Sequence, residues 1–171
     1  MTITVREEQP EDAPGIREAN KQAFGQPQEA GIVDNLRRNC SNLLSLVAVK
    51  QNQIVGHILF SPIEIKSKET SVQGMGLAPM AVLPEFQRRG IGTDLVREGI
   101  KRLTGRGCPF VIVLGHPEYY PRFGFEPASR YGVRCEWEVP DEAFMILVLD
   151  PSAIRGVSGL ARYRPEFAEA M

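Results

Sequence analysis

Leu77-Ala78-Pro79-Met80-Ala81-Val82-Leu83-Pro84-Glu85-Phe86-Gln87-Arg88-Arg89-Gly90-Ile91-Gly92-Thr93 decides the reading of this chain. An apolar run passes through a basic glycine turn into a helical pattern, so a strand hands over to a helix at Gln87–Gly92. The first N–H groups of a helix lack intrahelical partners and carry the positive end of its dipole, which makes such a junction a place for a phosphate. Gly90 and Gly92 let anionic oxygens approach the backbone, and Arg88 and Arg89 add charge at the rim. A Gly-x-Gly turn with arginines can equally be a solvated loop, so its surroundings have to decide.

Other nucleotide turns fit less well. A P-loop needs Gly-Lys-Ser or Gly-Lys-Thr, which the chain lacks, and this disfavours ATP or GTP hydrolysis. A dinucleotide fingerprint needs a third glycine where Leu95 follows Gly90 and Gly92, and where Pro79 follows Gly74 and Gly76, so a nicotinamide cofactor is disfavoured as well.

Outward from the turn, Ile91, Leu95, Val96, Ile100 and Leu103 share one face of a helix that Gly105 and Gly107 end. Phe110–Leu114 is a short, wholly apolar strand suited to a sheet centre. Upstream, Leu43–Val49 and Ile54–Ile65 read as strands joined by a hairpin at Lys50-Gln51-Asn52-Gln53, and Val72–Val82 as the next antiparallel strand. Ile3–Arg6 alternates like a strand. Pro10-Glu11-Asp12 opens a helix running to about Phe24, and Gly25-Gln26-Pro27 separates it from a second around Ile32, Val33 and Leu36. A short helix near Tyr119 and strands through Phe125 and Phe144–Leu149 complete the order. Residues after Asp150-Pro151 are weakly periodic and read as either a terminal strand or a wrapped arm. The fold class expected is α/β: a mixed, mostly antiparallel twisted sheet with helices on both faces. Residues 1–150 are expected to form the domain, with 151–171 as an extension packed on it.

With 171 residues, 43% hydrophobic and 24% charged, the chain has the size and composition of one ordinary globular domain. Its net charge of −1 supplies no general attraction to nucleic acid or an anionic membrane. A nucleic-acid binder using Arg88 and Arg89 would also want stacking aromatics beside them. The N-terminus lacks an apolar signal core, and no segment approaches the roughly 18 apolar residues of a membrane span, so a cytoplasmic location is expected. Cys40, Cys108 and Cys135 are odd in number and widely spaced; they suit neither a disulfide framework nor a zinc site and are expected reduced and mostly buried. His57 reads as a packed strand residue, and no metal is expected.

Three features together resemble the GNAT superfamily of acyl-CoA-dependent N-acyltransferases. Met80–Gly92 is similar to its acetyl-CoA motif, a Gln/Arg-x-x-Gly-x-Gly/Ala turn after a strand ending in Ala-Val. Tyr120-Pro-Arg-Phe-Gly124-Phe125 resembles its Tyr-x-x-x-Gly-Phe element, and the element order agrees over roughly residues 3–149. Val113–Phe125 is similar to the bacterial branch described as predicted N-acetyltransferases. The resemblance implies that acetyl-CoA is the co-substrate, that its pyrophosphate lies on the amides of Arg88–Thr93 (Arg88, Arg89, Gly90, Ile91, Gly92, Thr93) after Gln87, and that its pantetheine arm pairs with Met80, Ala81 and Val82. The Met80 N–H would meet the thioester oxygen. Tyr120 would be the acid for the departing thiolate, with Tyr119 as fallback; a role in packing beside Phe123 and Phe125 is the alternative.

Some family members carry a basic carboxylate on the strand after the motif helix, but Phe110–Leu114 has none. Glu29 is the first substitute, Glu118 the second, and water a third. Direct transfer in a ternary complex needs no acyl-cysteine, so Cys108 has no expected chemical role. The acceptor would be a small-molecule or peptide amine; Phe24, Glu29, Tyr131 and Trp137 are candidate pocket residues, and Glu29 suits a cationic amine. Late strands and tails can pair across a two-fold axis, which leaves a homodimer open. The alternative function is a catalytically silent acyl-CoA-binding regulatory module.

Overall fold

The computed structural model describes residues 2–170. Its elements are β1 (Thr4–Glu7), α1 (Ala13–Phe24), α2 (Gln28–Asn39), β2 (Leu44–Lys50), β3 (Gln53–Lys66), β4 (Ser71–Val82), α3 (Ile91–Gly105), β5 (Phe110–Leu114), β6 (Glu126–Pro127), β7 (Val133–Cys135), β8 (Phe144–Val148) and β9 (Gly159–Arg162), with short 3-10 turns between them. This is the expected mixed α/β class with a mostly antiparallel sheet. Among the described residues, no helix is long and apolar enough to cross a membrane. The chain forms two compact units: one holds the residues up to Ser61, Ala78–Lys101 and those from Pro165, the other Pro62–Leu77 and Arg102–Arg164.

In the first unit β1 pairs antiparallel with β2, Thr4 opposite Val49, and β2 with β3, Leu44 opposite Phe60. Ala48 faces Gly56 while Val49 faces Ile54, so Val55 is an extra residue in β3, a bulge. The bulge frees the Val55 carbonyl, which accepts the Leu83 N–H at 2.9 Å and fixes the chain just beyond β4.

Paired residues share a sheet face, which places Ser45, Val47, His57 and Leu59 on one side and Leu46, Ala48, Gly56 and Ile58 on the other. The first side receives α1, where Asn20 reaches His57. On the second side, α3 approaches so closely that a Cβ at Gly99 would stand 2.3 Å from the Phe60 ring, and one at Gly56 would stand 3.1 Å from Ile91. Helices therefore cover both faces. Leu95 and Val96 of α3 are fully buried, as its apolar stripe requires. The 3-10 turn Pro165–Ala170 packs on α2, with the Asn39 amide donating to Glu166 at 3.3 Å and Phe167 buried.

In the second unit β4 runs parallel to β5, Met75–Leu77 beside Val111–Val113. Strand β5 pairs antiparallel with β8 along its whole length, and β8 with β6. Strand β9 joins the far end of β3 antiparallel, Glu64 opposite Arg162, and runs parallel to β7. Ile63, Ile65, Phe110, Ile112, Phe144 and Ile146 form the centre of its core. The residues after Asp150 thus contain both alternatives, a strand (β9) and a wrapped arm (Pro165–Ala170). The three cysteines are free but half-buried rather than mostly buried, because each sits at or near an element's end.

Candidate active site

The basic turn lies in the first unit. After β4 the chain makes one 3-10 turn, Pro84–Phe86, and then an exposed loop to α3. The Gln87 side-chain amide donates back to the Val82 carbonyl at 3.0 Å and closes this loop on itself. Arg88 has φ +64° and Gly90 φ +84°, so two left-handed residues flank Arg89. Alternation of this kind turns successive N–H groups toward a common concavity that suits anions. The first bond of α3 runs from the Asp94 N–H to the Gly90 carbonyl, 3.0 Å, which leaves the amides of Ile91 and Gly92 ahead of the helical ladder. Thr93 lies in this first turn. Arg88 and Arg89 are exposed, and among the described residues neither is paired with a carboxylate.

Strand β4 supplies the second part. Its parallel ladder with β5 ends at Leu77, so Met80, Ala81 and Val82 lie beyond it. Pro79 has no N–H, which further thins the donors along this stretch. Ala81 is buried, and Met80 and Val82 are half-buried.

Tyr120 belongs to the second unit. It starts the 3-10 turn Tyr120–Phe123, which ends at Gly124 with φ +101°, a conformation only glycine adopts without strain. Its ring packs edge-on against Phe125 (centroids 5.7 Å apart) and Tyr119 (5.0 Å). It lies so close to Gly115 that a Cβ there would stand 2.5 Å from the ring. Tyr120 is 7% exposed, and among the described residues no group hydrogen-bonds its hydroxyl. Burial, and secondarily the neighbouring Tyr119, pushes the phenol well above its ordinary pKa near 10, so the hydroxyl keeps its proton at neutral pH.

The carboxylate candidates differ. Glu29 is half-buried in the first turn of α2, and the Gln26 amide donates to both its oxygens at 3.0 and 3.1 Å, which fixes its rotamer. Glu118 is exposed. Phe24, at the end of α1, is 41% exposed and so presents an aromatic face beside the loop that carries Gln26. In the second unit Trp137 stacks on Tyr163, centroids 5.0 Å apart and 33° from parallel, while Tyr131 is exposed and donates to Glu126 at 2.8 Å.

Two features escaped the sequence reading. Lys50 lies over the Phe86 ring, 5.0 Å from its centroid, and Arg89 takes the same ring at 5.6 Å. A polar network also crosses the α1–α2 face of the first unit. Asn20 reaches His57 Nδ1 at 3.2 Å, His57 Nε2 meets Ser45 Oγ at 2.9 Å, and the Ser45 hydroxyl donates to Glu8 at 2.6 Å. Arg37 donates to both Glu8 oxygens and to Asp34, which also pairs with Arg17. Burial alone would raise the Glu8 pKa, but its bonds from Arg37 and Ser45 carry it below the usual carboxylate value.

The sequence and its fold have counterparts in known proteins. The family described as Acetyltransferase (GNAT) domain matches residues 4–128. The uncharacterized N-acetyltransferase YhbS of Escherichia coli K12 is 37% identical over 166 residues, 96% of this chain and 98% of that protein. The uncharacterized N-acetyltransferase YjhQ of the same strain is 44% identical over 134 residues, 77% of this chain and 74% of its own. Among solved structures, the crystal structure of the E. coli YhbS in complex with CoA superposes with a TM-score of 0.90 at 36% identity, covering 97% of this chain and 92% of that one. A Brucella melitensis GNAT acetyltransferase in complex with acetyl-CoA gives 0.81 at 34%, covering 97% and 98%. With its fold and these likenesses in agreement, the chain belongs to the GNAT acetyltransferase family.

Proposed function

We propose that this protein transfers the acetyl group of acetyl-CoA directly to a primary amine within a ternary complex. The observation that carries the reading is the turn: two left-handed residues, the leading amides of α3, and two arginines that among the described residues pair with no carboxylate form a concavity suited to an anion between β4 and α3. A pyrophosphate on Arg88–Thr93 would lay the pantetheine arm along Met80, Ala81 and Val82, whose amide groups can bond it as a further strand would.

In the reaction the amine nitrogen attacks the thioester carbonyl, the C–S bond breaks, the nitrogen loses a proton and the sulfur leaves as a thiolate. The Met80 N–H would hold the developing oxyanion. Glu29, held by Gln26, would take the amine proton directly or through water and would favour a cationic acceptor. Tyr120 would donate to the departing sulfur. A typical thiol has a pKa near 8.5, and burial has moved the phenol further above that value, so the donation stabilises the thiolate while the phenol keeps its proton until late in the step. Phe24 in the first unit, and Trp137 and Tyr131 in the second, are the aromatic candidates for contact with an acceptor.

Calorimetry with CoA and acetyl-CoA, with the Arg88→Ala/Arg89→Ala variant alongside, tests the cradle; binding lost in the variant supports it, and no binding to the wild-type protein refutes it. A thiol-release assay over a panel of primary amines tests the transfer. Tyr120→Phe is expected to lower kcat by about a hundredfold, the lower range for acid–base groups, with CoA affinity retained.

A further inference from the structure

We infer that Lys50, laid on Phe86 together with Arg89, is the ligand for the 3′-phosphate of CoA and gives the enzyme its preference for CoA over 3′-dephospho-CoA. The inference rests on the acyl-CoA reading of the turn and adds a residue from a different part of the chain.

Lys50 is not a free surface lysine. It closes the β2–β3 hairpin opposite Gln53, and Gln51 and Asn52 are both left-handed (φ +49° and +64°), the geometry of a tight two-residue hairpin that holds strand ends rigidly. Its ammonium then rests 5.0 Å from the Phe86 centroid. Phe86 is fixed in turn, since its N–H donates to Leu83 at 2.8 Å and Leu83 is tied to Val55 of the β3 bulge. Arg89 approaches the same ring at 5.6 Å, so the two cations stand within about 11 Å of one another. Among the described residues, Lys50, Arg88 and Arg89 are paired with no carboxylate. Like charges gathered without counter-charge repel, and such a cluster is relieved by a polyanion.

The charge count selects the anion. Arg88, Arg89 and the leading amides of α3 match a pyrophosphate. Lys50, held on the Phe86 ring that Arg89 also approaches, remains for a second and separate anionic group. Coenzyme A carries one such group, a 3′-phosphate one ribose away from the pyrophosphate, with a charge of about −1.5 to −2 at pH 7. A cationic amine acceptor is excluded from this position by the sign of the charge. The aromatic platform keeps the lysine extended, so less side-chain freedom is lost when the phosphate arrives.

The test is calorimetric titration of the full chain and of Lys50→Gln with CoA and with 3′-dephospho-CoA at one low ionic strength. The wild-type protein should bind CoA about tenfold tighter than the dephospho form, the value of roughly one charge-assisted contact. Lys50→Gln should weaken CoA about five- to tenfold, leave 3′-dephospho-CoA within about twofold, and keep the wild-type melting temperature. Equal wild-type affinities, or equal weakening of both ligands by the variant, would overturn the 3′-phosphate assignment while leaving acyl-CoA binding intact. Binding of neither ligand to the wild-type protein would overturn the acyl-CoA reading and this inference with it.

Discussion

Lowering the pH from 7 to 5 should destabilise this protein through one buried imidazole. His57 is fully buried on β3, and its ring is hydrogen-bonded at both nitrogens. The Asn20 Nδ2 donates to the Ile16 carbonyl at 3.0 Å, so the amide presents its donor to His57 Nδ1. The single ring proton therefore sits on Nε2, facing Ser45, an assignment that follows from the hydrogen-bond network. A second proton at Nδ1 would meet a donor. Burial, opposed by Glu8 and assisted by Arg37, pushes His57 down to about 4, against about 6.5 in an unfolded chain. Between those values the unfolded state binds a proton that the native state refuses, so stability falls with falling pH. One proton corresponds to about 1.4 kcal/mol per pH unit, on the order of 3 kcal/mol over the whole window, a large share of a domain's stability. Glu8 and Asp12 have lowered pKa values and lose their contributions only below the ordinary carboxylate range. Urea unfolding at pH 7, 6 and 5 should show the loss in the wild-type protein and a flatter profile in His57→Gln, whatever that variant's stability at pH 7. Parallel profiles would refute the neutral, donor-faced imidazole.

Three further outcomes follow from close packing. Gly99→Ala gains about 1 kcal/mol of helix propensity but forces a methyl into Phe60, and a net loss of about 1–3 kcal/mol is expected by urea denaturation. Gly115→Ala pushes on the Tyr120 ring; it should reduce turnover as Tyr120→Phe does while CoA titrations stay at the wild-type value. Phe167→Ala removes the apolar anchor of the C-terminal turn on α2 and should cost about 2 kcal/mol, the value of one buried large side chain, read as a lower urea midpoint.

The fold is legible where the local pattern is complete in itself, as an unbroken apolar run or a helix with its stop signal. Phe110–Leu114 was read to the residue, and α1 was stopped at Phe24 by Gly25, whose φ of +67° supplies the physical reason. Strand β7, three residues long, was not legible: its pairing with β9 joins segments about two dozen residues apart and leaves no local period. The bulge at Val55 was hidden for a related reason, since an extra residue shows only against the partner strand's register. His57 was read correctly as a packed strand residue, but its partners come from four other segments, and no local pattern announces them.

For the candidate site the difference is one of range as well. The turn and helix start could be read because the glycines, the arginines and the first apolar residues of α3 are contiguous. Lys50 could not, although the hairpin around it was identified, because its tie to the turn is a side-chain contact with Phe86, thirty-six positions away. Tyr120 shows the converse limit. The motif located the residue, but with an ordinary pKa assumed it reads as a simple acid, whereas Gly115, Tyr119 and Phe125 enclose the ring and raise the phenol further above a thiol. Each unit of that separation makes full proton transfer harder by about 1.4 kcal/mol, yet leaves the hydroxyl's capacity to donate a hydrogen bond intact. In the proposed reaction, enclosure would therefore favour a hydroxyl that stabilises charge on sulfur over one that discharges it early. Activity resting on Tyr120 should then stay level as pH rises toward 10, where an exposed phenol would already be losing its proton.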